Sequence, residues 1–354
     1  MSSRAVWLIL PWLLLAAGCS PGRFVARQMA KAPNSHPTFF APNAPITLAL
    51  GTSLWRRLPE HWVEVGPPPA SLVVRIFEPG DYGLTLNTTN WTEGRRQHLK
   101  LDMVVKFPPR PLPNHPEPRG TIVLLHGYGI ALDAMAPWGF LLAEEGWRCV
   151  LVNLRGHGRS TGGRIHYGPV EARDLAQALD ALERRGLAAG PFGVMGVSDG
   201  AGHALRWAGE DPRLAATVAV TPYAELAAAA LNIRDEYARW LPRGVARSGT
   251  RHLPGVLAVD ADELNPSAVL ARRPVRALFV AGDADRITPA DDIRRLLDRA
   301  APGSALLLVP EAGHEAAPYF FEALRGPVTG WFAEELSGAA AERSGAWVGG
   351  APPP

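Results

Sequence analysis

The sequence predicts an α/β protein with a mostly parallel central sheet and helices on both faces. From residue 121 onward, short runs that are apolar at nearly every position alternate with segments of helical periodicity. Strands covered on both faces are expected to be continuously apolar, and a repeated strand–helix order is typical of a parallel sheet. The chain has 354 residues, of which 47% are hydrophobic and 20% charged, so it is long enough for one large domain of this kind.

The predicted elements follow one another with short connections. Strands are predicted at 121–125, 149–154, 192–197, 214–220, 275–281 and 305–309, and helices at 131–146, 170–187, 198–209, 289–300 and 318–336. In the second helix Leu175, Leu179 and Leu182 recur at spacings of four and three, which defines one apolar face. Pro327 is expected to kink or break the last helix.

The sequence before residue 121 is less regular. Strands are predicted at 72–77 and 98–105, and the proline-dense stretch 108–118 is predicted as a loop. No pattern allows residues 46–70 to be interpreted.

One interval, 222–274, interrupts the alternation because it contains no convincing strand. Residues 224–241 look helical and the remainder is mixed. We expect a small cap over the carboxyl ends of the strands, where such sheets bind ligands. An ordinary crossover helix with a long loop is the alternative.

The N-terminal region resembles the signal of a bacterial lipoprotein. A basic residue, an apolar run and small residues precede Cys19, so residues 1–18 are predicted to be a signal peptide. Cys19 would be acylated, and Ser20 after it favours the outer membrane facing the periplasm over inner-membrane retention. An ordinary signal peptide with an incidental cysteine is the alternative.

The regions that flank the predicted domain have little pattern. Residues 19–45 are expected to form a tether between the lipid anchor and a folded domain at 46–336. The Gly-, Ala- and Pro-rich tail 337–354 is expected to be disordered.

The pentapeptide Gly196–Gly200 reads G-x-S-x-G and lies where an apolar run gives way to a helical segment. In a nucleophile elbow a strand turns sharply into a helix and exposes a serine at the apex, and glycines prevent a clash between the two limbs. The pattern predicts Ser198 as a nucleophile. Because five residues can also match in a plain strand–helix turn, the other parts of a hydrolytic site must be found.

A serine nucleophile needs a base and a group that orients the base. His314 lies between the final strand and the final helix, on a loop that can reach the carboxyl edge of the sheet. His157 is a weaker candidate, and a solvated loop histidine is the alternative for His314. The acid is expected between serine and histidine in sequence, and we choose Asp285 because Asp283 follows its strand too closely.

Oxyanion stabilisation requires backbone N–H donors after the nucleophile and after an early strand. Asp199 supplies the first. The segment 126–129, His-Gly-Tyr-Gly, directly follows the first central strand, and the N–H of Tyr128 is the candidate for the second. A simple glycine turn is the alternative.

These motifs, in this order, resemble the α/β-hydrolase-fold serine hydrolases over about residues 70–336. The similarity is to the branch that includes monoacylglycerol lipases and prolyl-aminopeptidase-like enzymes, and 155–160 resembles a further loop of that family. The chain departs from the family pattern at Val197, where many members carry His, and at Asp199, where many carry Met, Tyr or Gln. A carboxylate at this position could slow the chemistry or select substrates.

The resemblance implies hydrolysis of esters or similar acyl compounds, small or lipid-like, through an acyl-enzyme on Ser198, with no metal or organic cofactor. An amidase or aminopeptidase using the same residues is one alternative. A non-catalytic envelope lipoprotein that reuses the scaffold is another. The net charge of +2 gives no reason to expect a nucleic-acid partner.

Overall fold

The structure is a computed structural model that describes residues 20–35, 46–49, 57–93 and 96–345. The predicted signal peptide and Cys19 lie outside the described residues. The strands are β1 Ile46–Ala49, β2 Glu60–Val65, β3 Ala70–Phe77, β4 Thr85–Glu93, β5 Arg96–Val104, β6 Thr121–Leu125, β7 Arg148–Asn153, β8 Phe192–Val197, β9 Leu214–Val220, β10 Leu278–Gly282 and β11 Ala305–Val309. The α-helices are α1 Pro21–Met29, α2 Ala136–Glu144, α3 Pro169–Arg184, α4 Asp199–Glu210, α5 Leu226–Tyr237, α6 Arg243–Leu257, α7 Pro266–Arg272, α8 Ala290–Leu297 and α9 Phe321–Gly345.

Eight strands form the central sheet in the order β11-β10-β9-β8-β6-β7-β3-β2. The six strands from β11 to β7 are parallel, whereas β3 runs antiparallel to β7 and β2 antiparallel to β3. Every residue of β6 and β8 is buried, as expected for strands covered on both faces. The predicted mostly parallel sheet is confirmed.

Hydrophobic side chains of alternate strand residues fill the two sides of this sheet. In β6, Leu124 belongs to the cluster that contains Phe140 of α2, while Leu125 belongs to the cluster that contains Leu179 of α3. The two-residue period of a strand therefore anchors helices on both faces. This arrangement brings the carboxyl ends of β6, β8, β10 and β11 to one edge.

The expected cap consists of α5, α6 and α7 together with a short 3-10 turn, inserted between β9 and β10. Helix α5 reaches over the edge of the sheet. Asn232 donates a hydrogen bond to the carbonyl of Ile287 at 2.9 Å, and the Tyr237 hydroxyl contacts the Glu315 carboxylate. The cap is thus connected to the loops that follow β10 and β11.

The expected tether over residues 19–45 is corrected for residues 20–35, which are folded. Ser20 caps α1 by accepting a hydrogen bond from the Arg23 N–H, and Pro21 occupies the first turn. Ala26 and Ala30 are buried, and the Ile165 N–H donates to the Ala30 carbonyl at 3.1 Å. The buried face is built from glycine and alanine, so the sequence shows no strong hydrophobic period.

Two further regions differ from the expectations. Helix α9 continues through Pro327 to Gly345, so residues 337–345 of the expected disordered tail are helical, consistent with their alanine content. A three-stranded sheet, in the order β1-β5-β4, lies outside the central sheet. Strand β4 was missed because nearly all its residues are exposed and it has no apolar alternation.

No helix in the described part of the chain is long and apolar enough to cross a membrane.

Candidate active site

Ser198 lies at the sharp turn between β8 and α4, with φ 53° and ψ −115°. A Cβ at Gly196 would lie 2.1 Å from the Gly200 carbonyl oxygen, and one at Gly200 would lie 2.5 Å from the His126 carbonyl oxygen. Any side chain at either position would therefore disrupt the turn. The Ser198 N–H donates to the Val220 carbonyl at 2.8 Å, which ties the strained residue to β9.

His314 lies between Ser198 and Asp285. Its Nε2 is 2.9 Å from Ser198 Oγ, and its Nδ1 is 2.8 Å from Asp285 Oδ2. Because an ionised carboxylate can only accept, Nδ1 carries the proton and Nε2 is the acceptor that faces the serine hydroxyl. The alternative acid, Asp283, is exposed.

The Asp285 carboxylate is fully buried and receives several donors besides His314. The N–H groups of Ile287 and Thr288 donate to Oδ1 at 2.8 Å each, and the Thr288 hydroxyl lies 2.7 Å from Oδ2. Burial alone would raise the pKa of Asp285, but His314 and the two donors of Thr288 hold it below the usual value. Thr288 was not singled out in the sequence, where the available signal was Asp285 itself, since Asp side chains in turns bond backbone N–H groups shortly after them.

The loop that carries His314 is held by a residue from the small sheet. The Gln97 side-chain amide donates to the Glu311 carbonyl at 2.9 Å and accepts from the Gly313 N–H at 2.7 Å. Both bonds fall within three residues of His314. No local pattern identifies Gln97, because the contact joins positions more than 200 residues apart.

The predicted oxyanion loop lies against the serine. A Cβ at Gly127 would lie 3.3 Å from Ser198 Cβ, so only glycine fits without displacement. His126 Nδ1 donates to the Gly127 carbonyl at 2.8 Å, and its Nε2 accepts from the Leu154 N–H at 3.1 Å. Burial lowers the pKa of His126 well below 6.5, so this ring is neutral at pH 7.

The His126 bond fixes the peptide group between Gly127 and Tyr128. In a trans peptide the C=O and N–H point in opposite directions, so the Tyr128 N–H projects away from the His126 ring. The sequence predicted this loop to supply the second oxyanion donor, and that role stays a prediction. It gave no role to His126, which comes too early in the chain to be the base.

The Asp199 carboxylate, one of the departures from the family pattern, points into a buried polar cluster. His203 Nε2 lies 3.2 Å from Asp199 Oδ2, and the Tyr223 hydroxyl lies 3.4 Å from Oδ1. Burial alone would lower the pKa of His203, but the Asp199 carboxylate raises it overall. The charge introduced beside the nucleophile is therefore paired with a histidine one helical turn later.

Glu171 is a second buried acid in this cluster. Its carboxylate accepts from the N–H groups of His166 at 2.7 Å and Gly168 at 2.9 Å, at the N-terminus of α3. Burial opposes its ionisation, but the side chain of His166, the charge of His203 and these N–H groups lower its pKa to about 2. The region behind the elbow therefore holds two buried acids, Asp199 and Glu171, each with a nearby histidine.

Comparison with known proteins gives matches to hydrolases. A family model described as serine aminopeptidase, S33, matches residues 116–274, which include the elbow and the cap but end before Asp285 and His314. The uncharacterized protein YqkD of Bacillus subtilis is 28% identical over 210 residues, which span 56% of this chain. The match covers 66% of that protein, just under two thirds of its length.

Solved structures with a similar fold include an esterase. An esterase of Pyrococcus furiosus superposes with a TM-score of 0.57 and 18% identity, covering 83% of this chain and all of the other. A Butyrivibrio proteoclasticus protein solved with ferulic acid bound gives a TM-score of 0.51 and 14% identity, covering 78% and 99%. At these identities the similarity shows the fold alone, which is the α/β-hydrolase fold. The family match supports a hydrolase at the level of reaction class.

Proposed function

We propose that this α/β-hydrolase-fold chain is a serine hydrolase that cleaves carboxylic esters or similar acyl compounds. The observation that carries the proposal is the continuous hydrogen-bonded chain Asp285–His314–Ser198, with distances of 2.8 and 2.9 Å. A serine hydroxyl becomes nucleophilic when a neutral imidazole accepts its proton and a buried carboxylate stabilises the resulting imidazolium. The esterase among the structural neighbours is consistent with this reaction.

The reaction proceeds in two halves. His314 Nε2 takes the proton from Ser198 while Oγ attacks the substrate carbonyl, and Asp285 stabilises the imidazolium. The N–H groups of Tyr128 and Asp199 then donate to the oxyanion, and His314 returns the proton to the leaving alcohol. Water activated by His314 hydrolyses the acyl-Ser198 in the second half. Loss of one such N–H donor costs about 3–4 kcal/mol of transition-state stabilisation.

The nucleophile is tested by covalent labelling. A fluorophosphonate probe should label the protein, and Ser198→Ala should abolish labelling. Labelling that survives the substitution would contradict the assignment of Ser198.

The acid is tested with a matched pair of variants on one loop. Asp285→Asn should lower kcat by about 10⁴-fold because the histidine is left in the wrong tautomer. Asp283→Asn, on the exposed neighbour two residues earlier, should leave kcat unchanged. Equal losses in the two variants would assign the effect to the loop rather than to the Asp285–His314 bond.

An amidase or aminopeptidase activity on the same residues is a second candidate, favoured by the family model that matches residues 116–274. Esters and amides share the acyl-enzyme, but an amide has a poorer leaving group that must be protonated. Comparing kcat/KM for an ester and an aminoacyl amide with the same acyl part distinguishes the two. Faster turnover of the amide would replace the esterase proposal.

We further propose that the protein is lipidated at Cys19 and anchored in the bacterial envelope, in the outer membrane facing the periplasm. The small residues before Cys19 and the serine after it support this location. Wild-type protein should incorporate labelled palmitate and Cys19→Ser should not. Membrane association that is unchanged in the variant would count against the anchor.

A further inference from the structure

We propose that a basic face docks on the surface of an anionic phospholipid bilayer. This face, which we call the cap face, consists of α1, α6 and residues 239–242 between α5 and α6. This proposal concerns the position of the protein at a membrane, whereas the proposed function concerns the reaction at Ser198. The cap face would give that chemistry access to acyl substrates in the bilayer, and in this respect it rests on the proposed function.

The charges of the chain are unevenly distributed. The segments 20–35 and 239–259 contain seven of the 36 basic residues and none of the 34 acidic ones, leaving 29 basic against 34 acidic residues elsewhere. Six exposed arginines lie in these segments, at Arg23, Arg27, Arg239, Arg243, Arg247 and Arg251. Of these, Arg243 forms an ion pair with Asp235 of α5 at 3.2 Å. The two segments still form a strongly cationic region of a nearly neutral chain, and cations near an anionic membrane surface contribute about 1 kcal/mol each.

The two helices of the cap face are packed directly against each other. A Cβ at Gly22 would lie 2.1 Å from Ser248 Oγ, and one at Gly249 would lie 2.4 Å from Val25 Cγ1. Both helices bury their inner sides in one hydrophobic cluster, which includes Ala26 of α1 and Leu253 and Leu257 of α6. Their outer sides therefore belong to the same side of the molecule.

Arg243, Arg247 and Arg251 recur every four residues and form one ridge along α6. Two large apolar side chains are exposed beside the arginines. Phe24 of α1 is 43% exposed and Trp240 is 55% exposed. Arginine together with aromatic residues is the composition of helices that lie in a membrane interface, where cations meet headgroups and rings enter the acyl boundary.

The position of the proposed acylation site favours a bilayer over another polyanion. Ser20 is the N-cap of α1, so the proposed acylated residue, Cys19, immediately precedes a helix that is packed on the cap. Without a flexible tether, an anchor at this position would hold the cap face at the membrane.

The cap face also lies near the oxyanion loop. The Tyr167 hydroxyl donates to the Met29 carbonyl at the end of α1 at 2.7 Å, and the Tyr167 ring stacks on Tyr128 with centroids 6.4 Å apart. Tyr128, whose N–H is proposed to stabilise the oxyanion, is therefore connected to α1 through its own ring and the Tyr167 side chain. A bilayer at the cap face would be close to the site where an acyl group reacts.

Vesicle binding of the full-length protein tests the proposal. Partition coefficients would be measured by flotation with vesicles of phosphatidylcholine alone and of phosphatidylcholine with phosphatidylglycerol, and their ratio taken. A lipid anchor contributes equally to both vesicles, so the ratio isolates the effect of headgroup charge. Wild type should prefer the anionic vesicles, and 1 M NaCl should remove the preference because it shortens the Debye length to about 3 Å.

The double variant Arg247→Gln/Arg251→Gln should lower this ratio by about 30-fold, because each arginine contributes about 1 kcal/mol to binding at an anionic surface. The matched control is Arg294→Gln/Arg295→Gln, which removes the same charge from exposed positions on α8. A ratio that is unaffected by the α6 substitutions, or lowered equally by the control, would overturn the proposal. Retention on DNA or an acidic protein without preference for anionic vesicles would also overturn it.

The binding result is independent of the catalytic one. Ser198→Ala should keep the wild-type partition ratio, and hydrolysis of a soluble ester reports the proposed function without vesicles. A chain that hydrolyses the soluble ester but shows no anionic preference would lose the cap-face proposal alone.

Discussion

Ser198 has a backbone conformation that is unfavourable for any residue except glycine, at φ 53° and ψ −115°. Such positions cost about 1–3 kcal/mol each and persist only where the surroundings enforce them. Here the surroundings are β8 and β9, the two glycines of the elbow and the bond from the Ser198 N–H to Val220. The result is a hydroxyl that projects from the sheet edge toward His314 without rearrangement.

His126 is expected to act as a positioning residue for the oxyanion donor. In His126→Leu the Gly127 carbonyl loses its donor, so the Tyr128 N–H loses its fixed direction. We expect kcat on a soluble ester to fall by about 10²-fold, as for a lost oxyanion donor, with little change in KM.

His157 supplies the control for this prediction. Its ring lies 5.0 Å from that of His126, is also buried and packs edge-on against the Tyr128 ring, but its Nδ1 bonds the Arg155 carbonyl and not the Gly127 carbonyl. His157→Leu should lower stability and leave kcat near wild type. A similar kcat loss in both variants would show that packing, rather than the Gly127 bond, is responsible.

The pairing of Asp199 with His203 can be tested by a double-mutant cycle. His203→Gln leaves the Asp199 carboxylate buried without its cation, so the free energy of unfolding should fall by about 3–5 kcal/mol. The uncompensated charge also lies beside the oxyanion site, so kcat should fall. Adding Asp199→Asn removes the charge but keeps the backbone N–H, and should recover most of both losses.

Urea unfolding and ester hydrolysis on the two single variants and the double variant measure this coupling. Additive losses, with the double variant worse than His203→Gln, would contradict the charge pairing. The raised pKa of His203 gives a further check. The contribution of this group is fully present below pH 6.5 and is lost as pH rises through its folded pKa, so the deficit of His203→Gln should shrink at alkaline pH.

At the scale of elements, the small β1-β5-β4 sheet has a role that its exposed surface does not suggest. Strand β5 carries Gln97, which bonds the loop on both sides of Ala312. The sheet thereby supports the segment that presents His314. The loop after β10 contacts the same segment, because the Ala284 N–H donates to the Ala312 carbonyl at 3.1 Å.

Gln97→Ala should lower kcat by about 10- to 100-fold through a displaced His314, with little change in melting temperature because Gln97 is partly exposed. Lys100→Ala, an exposed substitution on the same strand, is the control and should have wild-type kcat. Activity of Gln97→Ala equal to that of Lys100→Ala would mean that the loop keeps its position unaided.

The sequence predicted elements well where local pattern and burial coincide. Continuous apolar runs identified β6 to β10 within a few residues, because strands covered on both faces can contain little else. Strand β11 was also predicted from its apolar run, although it is an edge strand with Ala305 and Leu308 exposed. It failed for α1, whose buried face is glycine and alanine, and for β4, which buries almost nothing. Helix α1 is stabilised by packing against α6, which is distant in sequence, and β4 is stabilised by antiparallel pairing with the adjacent strand β5. Neither element is marked by its own periodicity.

At the scale of the whole molecule, the order of serine, acid and base along the chain was readable because each follows a strand of one parallel sheet. The residues that position these three side chains could not be identified from the sequence. Gln97 and Tyr223 contact the site from distant segments, and no spacing encodes such pairs. His203, four residues after Asp199, was visible at helical spacing, but its role depends on burial that only the fold creates.

The pH dependence of the fold should depend strongly on Glu171. Its pKa is about 2 in the folded protein against 4.5 in a solvated reference, so the folded state favours the charged form. The corresponding stability is fully present above pH 4.5 and is lost as pH falls toward 2. At pH 7 this stabilisation amounts to about 3 kcal/mol, because each unit of pKa difference corresponds to about 1.4 kcal/mol.

Glu171→Gln should therefore lose about 3 kcal/mol of unfolding free energy at pH 7, and the difference from wild type should shrink as pH is lowered through 4 to 3. Urea denaturation followed by circular dichroism at pH 7, 5, 4 and 3 measures it. Glu322→Gln, an exposed acid in the first turn of α9, is the control and should stay within about 0.5 kcal/mol of wild type throughout. A Glu171→Gln deficit that stays constant over this range would show that the loss comes from altered packing, because only the ionised carboxylate makes the stabilisation depend on pH.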